Sequence, residues 1–347
     1  MASAMGIAAL VIGSSSTMRA ARLGQDGAIK VEEMEIPTPG PGEALVRIVQ
    51  AGICNTDIEI ASRGYKGFAG TIGHEFVGVI DTIAANSHTD FCVGQRVVAE
   101  INCVPEGCGC RDYHERAQHP DRAALGIFKR DGIFAEFATV PLVNLHPVPD
   151  SLSDDEAMFA EPLAAACQIL QQVHVKGTES VAVLGTGKLG ILICQALAIT
   201  GCHVVAMGRR EDTFEPFKKR GIATKLTSDI ADSEKYDIVV DCTGSEAGFN
   251  TALSITKPCG TLVLKSTFAG MTPADLTKVV VDEIKIQGSR CGPFAVALAF
   301  LEKKQVTVDG LITHRFTLDQ TVEAIQKAGQ KDSLKVAIRV APVAPEQ

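Results

Sequence analysis

The chain of 347 residues carries 33 Lys and Arg against 41 Asp and Glu, a formal net charge of −8, and 46% of it is hydrophobic. That length favours two domains with ample chain for buried cores, and the apolar content excludes a largely disordered protein. The acidic balance excludes a binder of nucleic-acid backbone, and no apolar run approaches the ~20 residues of a membrane-spanning helix, so neither nucleic acid nor membrane is an expected partner.

Residues 1–17 are rich in Ala and Ser, lack acidic residues, and have no basic residue ahead of their apolar part. They read as a tail preceding a natural start at Met18, with a short organelle-targeting segment as the competing reading and a secretory signal disfavoured. Short apolar or alternating runs at 44–49, 76–83, 96–101 and 134–140, separated by Gly, Pro and Asn turns, read as strands. From about residue 151 the pattern changes. Strand-like runs at 181–184, 203–207, 237–240 and 261–264 alternate with helix-length segments, which argues for an α/β protein with a parallel sheet. Two helical stretches, 294–303 and 318–328, and a final strand at 335–340 have no sheet of their own. They are expected to complete the first domain. The expected division is therefore 18–150 with 292–347, and 151–291 inserted between them.

The run 181–184 leads into Gly185-Thr186-Gly187-Lys188-Leu189-Gly190 and then an apolar helix. Strand, glycine-rich turn and helix in that order make a dinucleotide site: Gly185 for the tight turn, Gly187 for close approach to a pyrophosphate, Gly190 for packing of helix on strand. The next strand ends at Gly208, where an NAD site carries Asp or Glu for the ribose 2′-hydroxyl. Here Arg209 and Arg210 follow instead. Two guanidinium groups suit a 2′-phosphate, so NADP(H) is expected in preference to NAD(H). The alternative is that they pair with Glu211 and Asp212 on the surface.

Cys54 and, twenty residues on, His74-Glu75 offer a thiolate, an imidazole and a carboxylate, a ligand set that suits zinc. Glu161, ahead of Pro162 and an apolar run, reads as a carboxylate at a helix N-terminus. Spacing alone leaves zinc ligation and ordinary structural roles both open. The eleven cysteines mostly sit singly in apolar runs, as Cys167, Cys194, Cys202, Cys242 and Cys259 do. That is how reduced, buried thiols look, and a reducing compartment, the cytoplasm, is expected.

Gly73-His74-Glu75-x-x-Gly78, continued by Ala84 and Ser87, with the glycine motif downstream, resembles the zinc-dependent medium-chain alcohol dehydrogenase superfamily. The resemblance runs from about residue 18 to 340 and is nearest to the sorbitol, threonine and glucose dehydrogenase branch. It implies a GroES-like β domain plus a doubly wound, parallel-sheet Rossmann domain. It implies catalytic zinc held by Cys54, His74 and Glu161, with Glu75 alternating with water, Thr56 taking the substrate proton, and Asp57 orienting His74. Glu59 stands where some members have a relay histidine. The resemblance also lays Cys242-Thr243 and Lys265-Ser266-Thr267 along the cofactor, with Arg290 reaching cofactor phosphate or substrate.

The implied activity is hydride transfer between NADP(H) and a secondary alcohol, polyol or sugar, or the matching carbonyl compound, by a homodimer or homotetramer. The rivals are a zinc-free enone or quinone reductase of the same superfamily and a non-catalytic NADPH-binding protein. Where relatives carry a four-cysteine zinc lobe, this chain has Cys103, Cys108, Cys110 and His119. A degenerate, metal-free lobe is the preferred reading there.

Overall fold

The computed structural model describes residues 16–63, 67–266 and 271–340. The expectations for residues 1–15, for Thr267 and for 341–347 lie outside the described residues. Among those described, no helix is long and apolar enough to cross a membrane.

A seven-stranded sheet, antiparallel in all but one pairing, organises the first part. Its centre is the Glu43–Gly52 strand, flanked on one side by Glu75–Ile83 and on the other by Lys335–Arg339, which is paired in turn with Ile312–Thr317. Register places Gly52 opposite both Glu75 and Ala337, so three strands from distant parts of the chain converge at one end. Alternation of buried and exposed side chains along these strands puts Val46, Ile48, Ile80, Val97, Val336 and Ile338 into one core. The strand expected from residue 134 begins at Phe137, because Ala135 bridges to Ala20 and the Phe134 carbonyl accepts from the Ala21 amide at 2.7 Å.

The second sheet has six parallel strands in the order Ala223–Leu226, His203–Gly208, Ser180–Leu184, Tyr236–Asp241, Thr256–Leu264, Lys285–Gly288. Its inner strands are near-continuous apolar runs because helices cover both faces. This is the α/β, Rossmann-type architecture expected of the chain. The helix Phe294–Glu302 follows the last strand of this sheet. Its sequence is apolar on almost every face, which favours burial on more than one side, and only Ala295 and Glu302 are exposed. Phe294, Ala297, Leu298 and Leu301 share a core with Ala164 and Cys167 of the Ala160–Gln172 helix, with Val181 and Ile191 of the dinucleotide unit, and with Val77 and Val98 of the first sheet. The strands Ile312–Thr317 and Lys335–Arg339 are what join the first sheet.

Candidate active site

The chain leaves the Glu43–Gly52 strand through Ile53 and Cys54 and enters the Asn55–Arg63 helix. Asp57, fully buried in its first turn, accepts a hydrogen bond from the Cys54 amide at 2.8 Å, which fixes the loop. The Cys54 thiol lies 3.7 Å from the Thr56 hydroxyl. One donor atom each from Cys54, His74 and Glu75 lies within 4.8 Å of the others, the group of three or more such donors found among the described residues.

His74 is 2% exposed, and its Nδ1 stands 3.4 Å from Asp57 Oδ1, too long to satisfy either buried atom. Burial opposes a charge on this ring, yet Asp57 and then Cys54 outweigh it and hold the imidazole well above its ordinary value. Glu161 enters on the first turn of Ala160–Gln172. Burial first, with Glu75 adding to it against the relief from His74, pushes its carboxyl up to about 7. Among the described residues Glu161 has no hydrogen-bond or ion-pair partner. The gathered thiol, imidazole and carboxylate of Cys54, His74 and Glu75 fit a divalent, borderline-soft cation, while Glu161, expected as the third ligand, is not among the donors gathered within 4.8 Å.

Three lysines surround these donors. Lys335, 1% exposed, forms a buried ion pair with Glu75 and lies 5.6 Å from the centre of the Phe159 ring. Gly52 makes the pair possible: a Cβ there would stand 2.7 Å from Glu75 Oε2 and 3.4 Å from Lys335 Cδ. Burial alone would raise the Glu75 carboxyl, but Lys335, His74 and Lys188 together bring it below the ordinary range. The Lys188 side chain reaches away from the glycine motif, and its ammonium donates to the Ile53 carbonyl at 3.0 Å, tying the dinucleotide loop to the cysteine loop. Lys265 follows the Thr256–Leu264 strand and donates to the Arg290 carbonyl at 2.6 Å and the Ser289 hydroxyl at 3.1 Å.

The remaining expected residues line the carboxyl edge of the parallel sheet. A Cβ on Gly185, at φ +119°, would meet Cys242 Sγ at 2.8 Å, so only glycine fits that turn. Gly187 is different. It has φ −90°, which any residue adopts, and nothing stands within 4 Å of where its Cβ would be. No contact inside the chain requires glycine there, whereas a closely approaching ligand would. The Thr186 hydroxyl lies 2.7 Å from that of Thr213, and a Cβ on Gly208 would sit 2.7 Å from the Thr186 side chain. Leu189 packs on the core, Cys242 donates to the Leu184 carbonyl at 3.0 Å, and the Thr243 hydroxyl donates to Asp241 at 2.8 Å. Ser266 is half-buried at the strand end, and the guanidinium of Arg290 donates to the Ala117 carbonyl. Arg210 pairs with Asp212 through two bonds of 2.8 Å, while Arg209 is exposed.

Cys103, Cys108, Cys110 and His119 are not gathered as metal donors. Cys103 is buried and turned to the Ile101 carbonyl at 3.7 Å, while Cys108 accepts from the Cys110 amide at 3.3 Å and His119 from the Asp121 amide at 3.1 Å. A buried ion pair, Arg116 to Glu100 at 2.7 Å, backed by His146 at 2.9 Å, anchors the lobe instead.

Sequence reasoning missed the Lys335 ammonium and the reach of Lys188. A lysine opening a strand gives no local sign of burial, and the fourth position of a glycine motif is ordinarily read for its backbone.

Two family models match the chain, one described as the alcohol dehydrogenase GroES-like domain over residues 40–150, the other as zinc-binding dehydrogenase over residues 189–303. The D-arabitol-phosphate dehydrogenase of Enterococcus avium is 26% identical over 332 residues, covering 89% of this chain and 93% of that protein. The sorbitol dehydrogenase of Halalkalibacterium halodurans is 26% identical over 333 residues, covering 90% and 96%. Among solved structures, a protein from Sinorhizobium meliloti 1021 described as a zinc-binding dehydrogenase and bound to NADP has a TM-score of 0.85 at 26% identity, covering 94% of this chain and 100% of that one. An Escherichia coli CFT073 protein described as a short chain alcohol dehydrogenase, in complex with NADH, has a TM-score of 0.86 at 26% identity and the same coverage.

Proposed function

The chain belongs to the medium-chain dehydrogenase/reductase superfamily, among the alcohol and polyol dehydrogenases, and from that premise we propose that it is a zinc-dependent enzyme passing hydride between NADP(H) and a secondary alcohol, polyol or sugar. The observation that carries this reading is the gathering of one donor atom each from Cys54, His74 and Glu75 within 4.8 Å of one another. The domain division stated above, 18–150 with 292–347 and 151–291, belongs to the same proposal.

Zinc held by Cys54, His74 and Glu161 would act as a Lewis acid that acidifies a substrate hydroxyl, and the nicotinamide would take up the hydride. Thr56, beside Cys54, accepts the hydroxyl proton. Asp57 holds the cysteine loop through the Cys54 amide, and its carboxylate acts on the His74 ring by charge. Lys335 keeps Glu75 ionised and in place. Gly185, Thr186, Gly187, Lys188 and Leu189 hold the pyrophosphate at the helix N-terminus. Cys242, Thr243, Lys265, Ser266 and Arg290 line the nicotinamide half.

For the cofactor, Gly208 with Arg209 and Arg210 takes the 2′-phosphate, which requires Arg210 to exchange its Asp212 partner. The expected result is a kcat/KM for NADP about tenfold or more above that for NAD, narrowed about tenfold by replacing both arginines with Ala. Equal efficiency with the two cofactors would sink the assignment.

For assembly, the Lys285–Gly288 strand forms one edge of the parallel sheet, and the adjacent Leu276–Val281 helix exposes Leu276, Val280 and Val281. An open strand edge beside exposed apolar side chains is covered by an isologous copy in a homodimer, the unit from which a tetramer also builds. Light scattering should give a dimer or tetramer for the native chain and a smaller species for Val280→Glu with Val281→Glu. Unchanged mass in that variant places the interface elsewhere.

A further inference from the structure

The side chain of Lys188 crosses from the glycine motif to the loop that carries Cys54. Its ammonium donates to the Ile53 carbonyl at 3.0 Å, a contact between residues 135 apart in the chain. Among the described residues it has no other hydrogen-bond partner and no carboxylate within ion-pair distance.

The Ile53 carbonyl and the Cys54 amide belong to a single planar peptide unit, whose far corner is the Cys54 Cα. That unit is gripped at both polar ends. Lys188 holds its oxygen, and its N–H donates to Asp57 Oδ2 at 2.8 Å. The unit before it is fixed as well, since the Ile53 amide donates to the Val336 carbonyl at 3.0 Å and the Ile53 side chain is fully buried. The plane therefore cannot turn without breaking a bond at one end, and its orientation sets where the Cys54 thiol projects. The other oxygen of Asp57 stands 3.4 Å from His74 Nδ1, so the same grip borders a second member of the gathered donors.

At its backbone end, Lys188 opens the Lys188–Ala198 helix, whose N-cap Gly187 supplies no side-chain acceptor. The unpaired amides of such a helix end are where a dinucleotide phosphate is held. A phosphate there brings negative charge beside a half-buried ammonium whose partner is neutral and whose other N–H donors are unengaged. That charge lowers the cost of keeping the ammonium in place, which steadies the peptide unit it grips.

We propose that Lys188 is a positioning residue that couples the two ligand sites of the cleft. Phosphate at the glycine motif fixes the Ile53–Cys54 peptide unit and so tightens the hold of the donors around Cys54 on a cation. The cation tightens the dinucleotide by the same factor. This rests on the dehydrogenase reading above.

The test uses the full chain and ADP-ribose 2′-phosphate, a fragment of NADP that carries the phosphates but lacks the nicotinamide. Zinc affinity, measured by competition with a chromophoric chelator, should rise about fivefold or more when the fragment saturates the native chain. Lys188→Met should remove that rise, and Lys188→Arg should restore part of it. Zinc affinity that the fragment leaves unchanged in the native chain overturns the proposal. So does a Lys188→Met variant that weakens zinc equally with and without the fragment, as a mere structural pin would. Calorimetry of the fragment separates the causes. A chain that binds it without any effect on zinc refutes the coupling alone, whereas a chain that does not bind it refutes the dinucleotide reading too. Should the native chain take up no zinc, the metal reading fails, and iodoacetamide alkylation of Cys54, followed by peptide mass spectrometry, decides in its place. Alkylation slowed about fivefold by the fragment in the native chain and not in Lys188→Met upholds the link, and equal slowing or none overturns it.

Discussion

Cys54→Ser is expected to leave the purified protein with almost no zinc and to lower alcohol turnover about a thousandfold. The thiolate is the softest donor of the cluster and the one the Asp57-anchored loop presents directly. A serine hydroxyl there stays protonated and neutral, so the set loses its best match to a borderline-soft ion. Lewis-acid stabilisation is worth several kcal/mol, and each ~1.4 kcal/mol is tenfold in rate, which gives the expected size. Elemental mass spectrometry on the native chain should find about one zinc. A second would place metal in the Cys103 to His119 lobe, where no three donors gather among the described residues. Binding of NADPH, followed by its own fluorescence, should persist in the variant, which separates loss of metal from loss of fold. Full turnover by Cys54→Ser would refute the metal reading.

What could be read from the sequence follows the range over which each signal acts. The glycine motif is local, one strand, one turn and one helix, and its fold is visible in that short stretch. His74-Glu75 and Cys54 carry recognisable chemistry within twenty residues, and the antiparallel pairing of Glu43–Gly52 with Glu75–Ile83 closes that distance. Glu161 comes from a helix far along the chain, and only the family resemblance marked it as more than a favourable helix-terminal charge. The Lys335 pairing was not legible at all. It exists because Lys335–Arg339 adds to the free side of the Glu43–Gly52 strand, a contact between segments almost 300 residues apart that no periodicity encodes. The Phe294–Glu302 helix illustrates the opposite case. Its apolar character on all faces was in the sequence, and it signals burial between layers. At Arg210 the local ion pair with Asp212, weighed beside phosphate recognition from the start, is what the chain adopts alone.

Lys335→Met is expected to destabilise the protein by about 3–5 kcal/mol, the range for removing one partner of a buried ion pair. The methionine keeps most of the stem and its contact with Phe159, so packing loss is small and charge loss dominates. What remains is a fully buried Glu75 with only His74 and Lys188 to favour its ionised form. The pH dependence distinguishes this cause from a packing defect. In the native chain Glu75 is held below its unfolded value and Lys335 above its own, so the pair stabilises from above the carboxylate range up to the lysine range, and its contribution fades outside those limits. In the variant, burial is the leading influence left on Glu75, and its folded value rises above the unfolded one. A group raised in this way favours the fold when protonated, so the deficit against the native chain should shrink from pH 8 to pH 5. Urea midpoints at the two pH values measure it. The double variant Lys335→Met with Glu75→Gln should recover much of the loss, because no buried charge is then left unpaired. A deficit independent of pH and undiminished in the double variant would make Lys335 a packing residue, and the ionised state of Glu75 would then rest on His74 and Lys188.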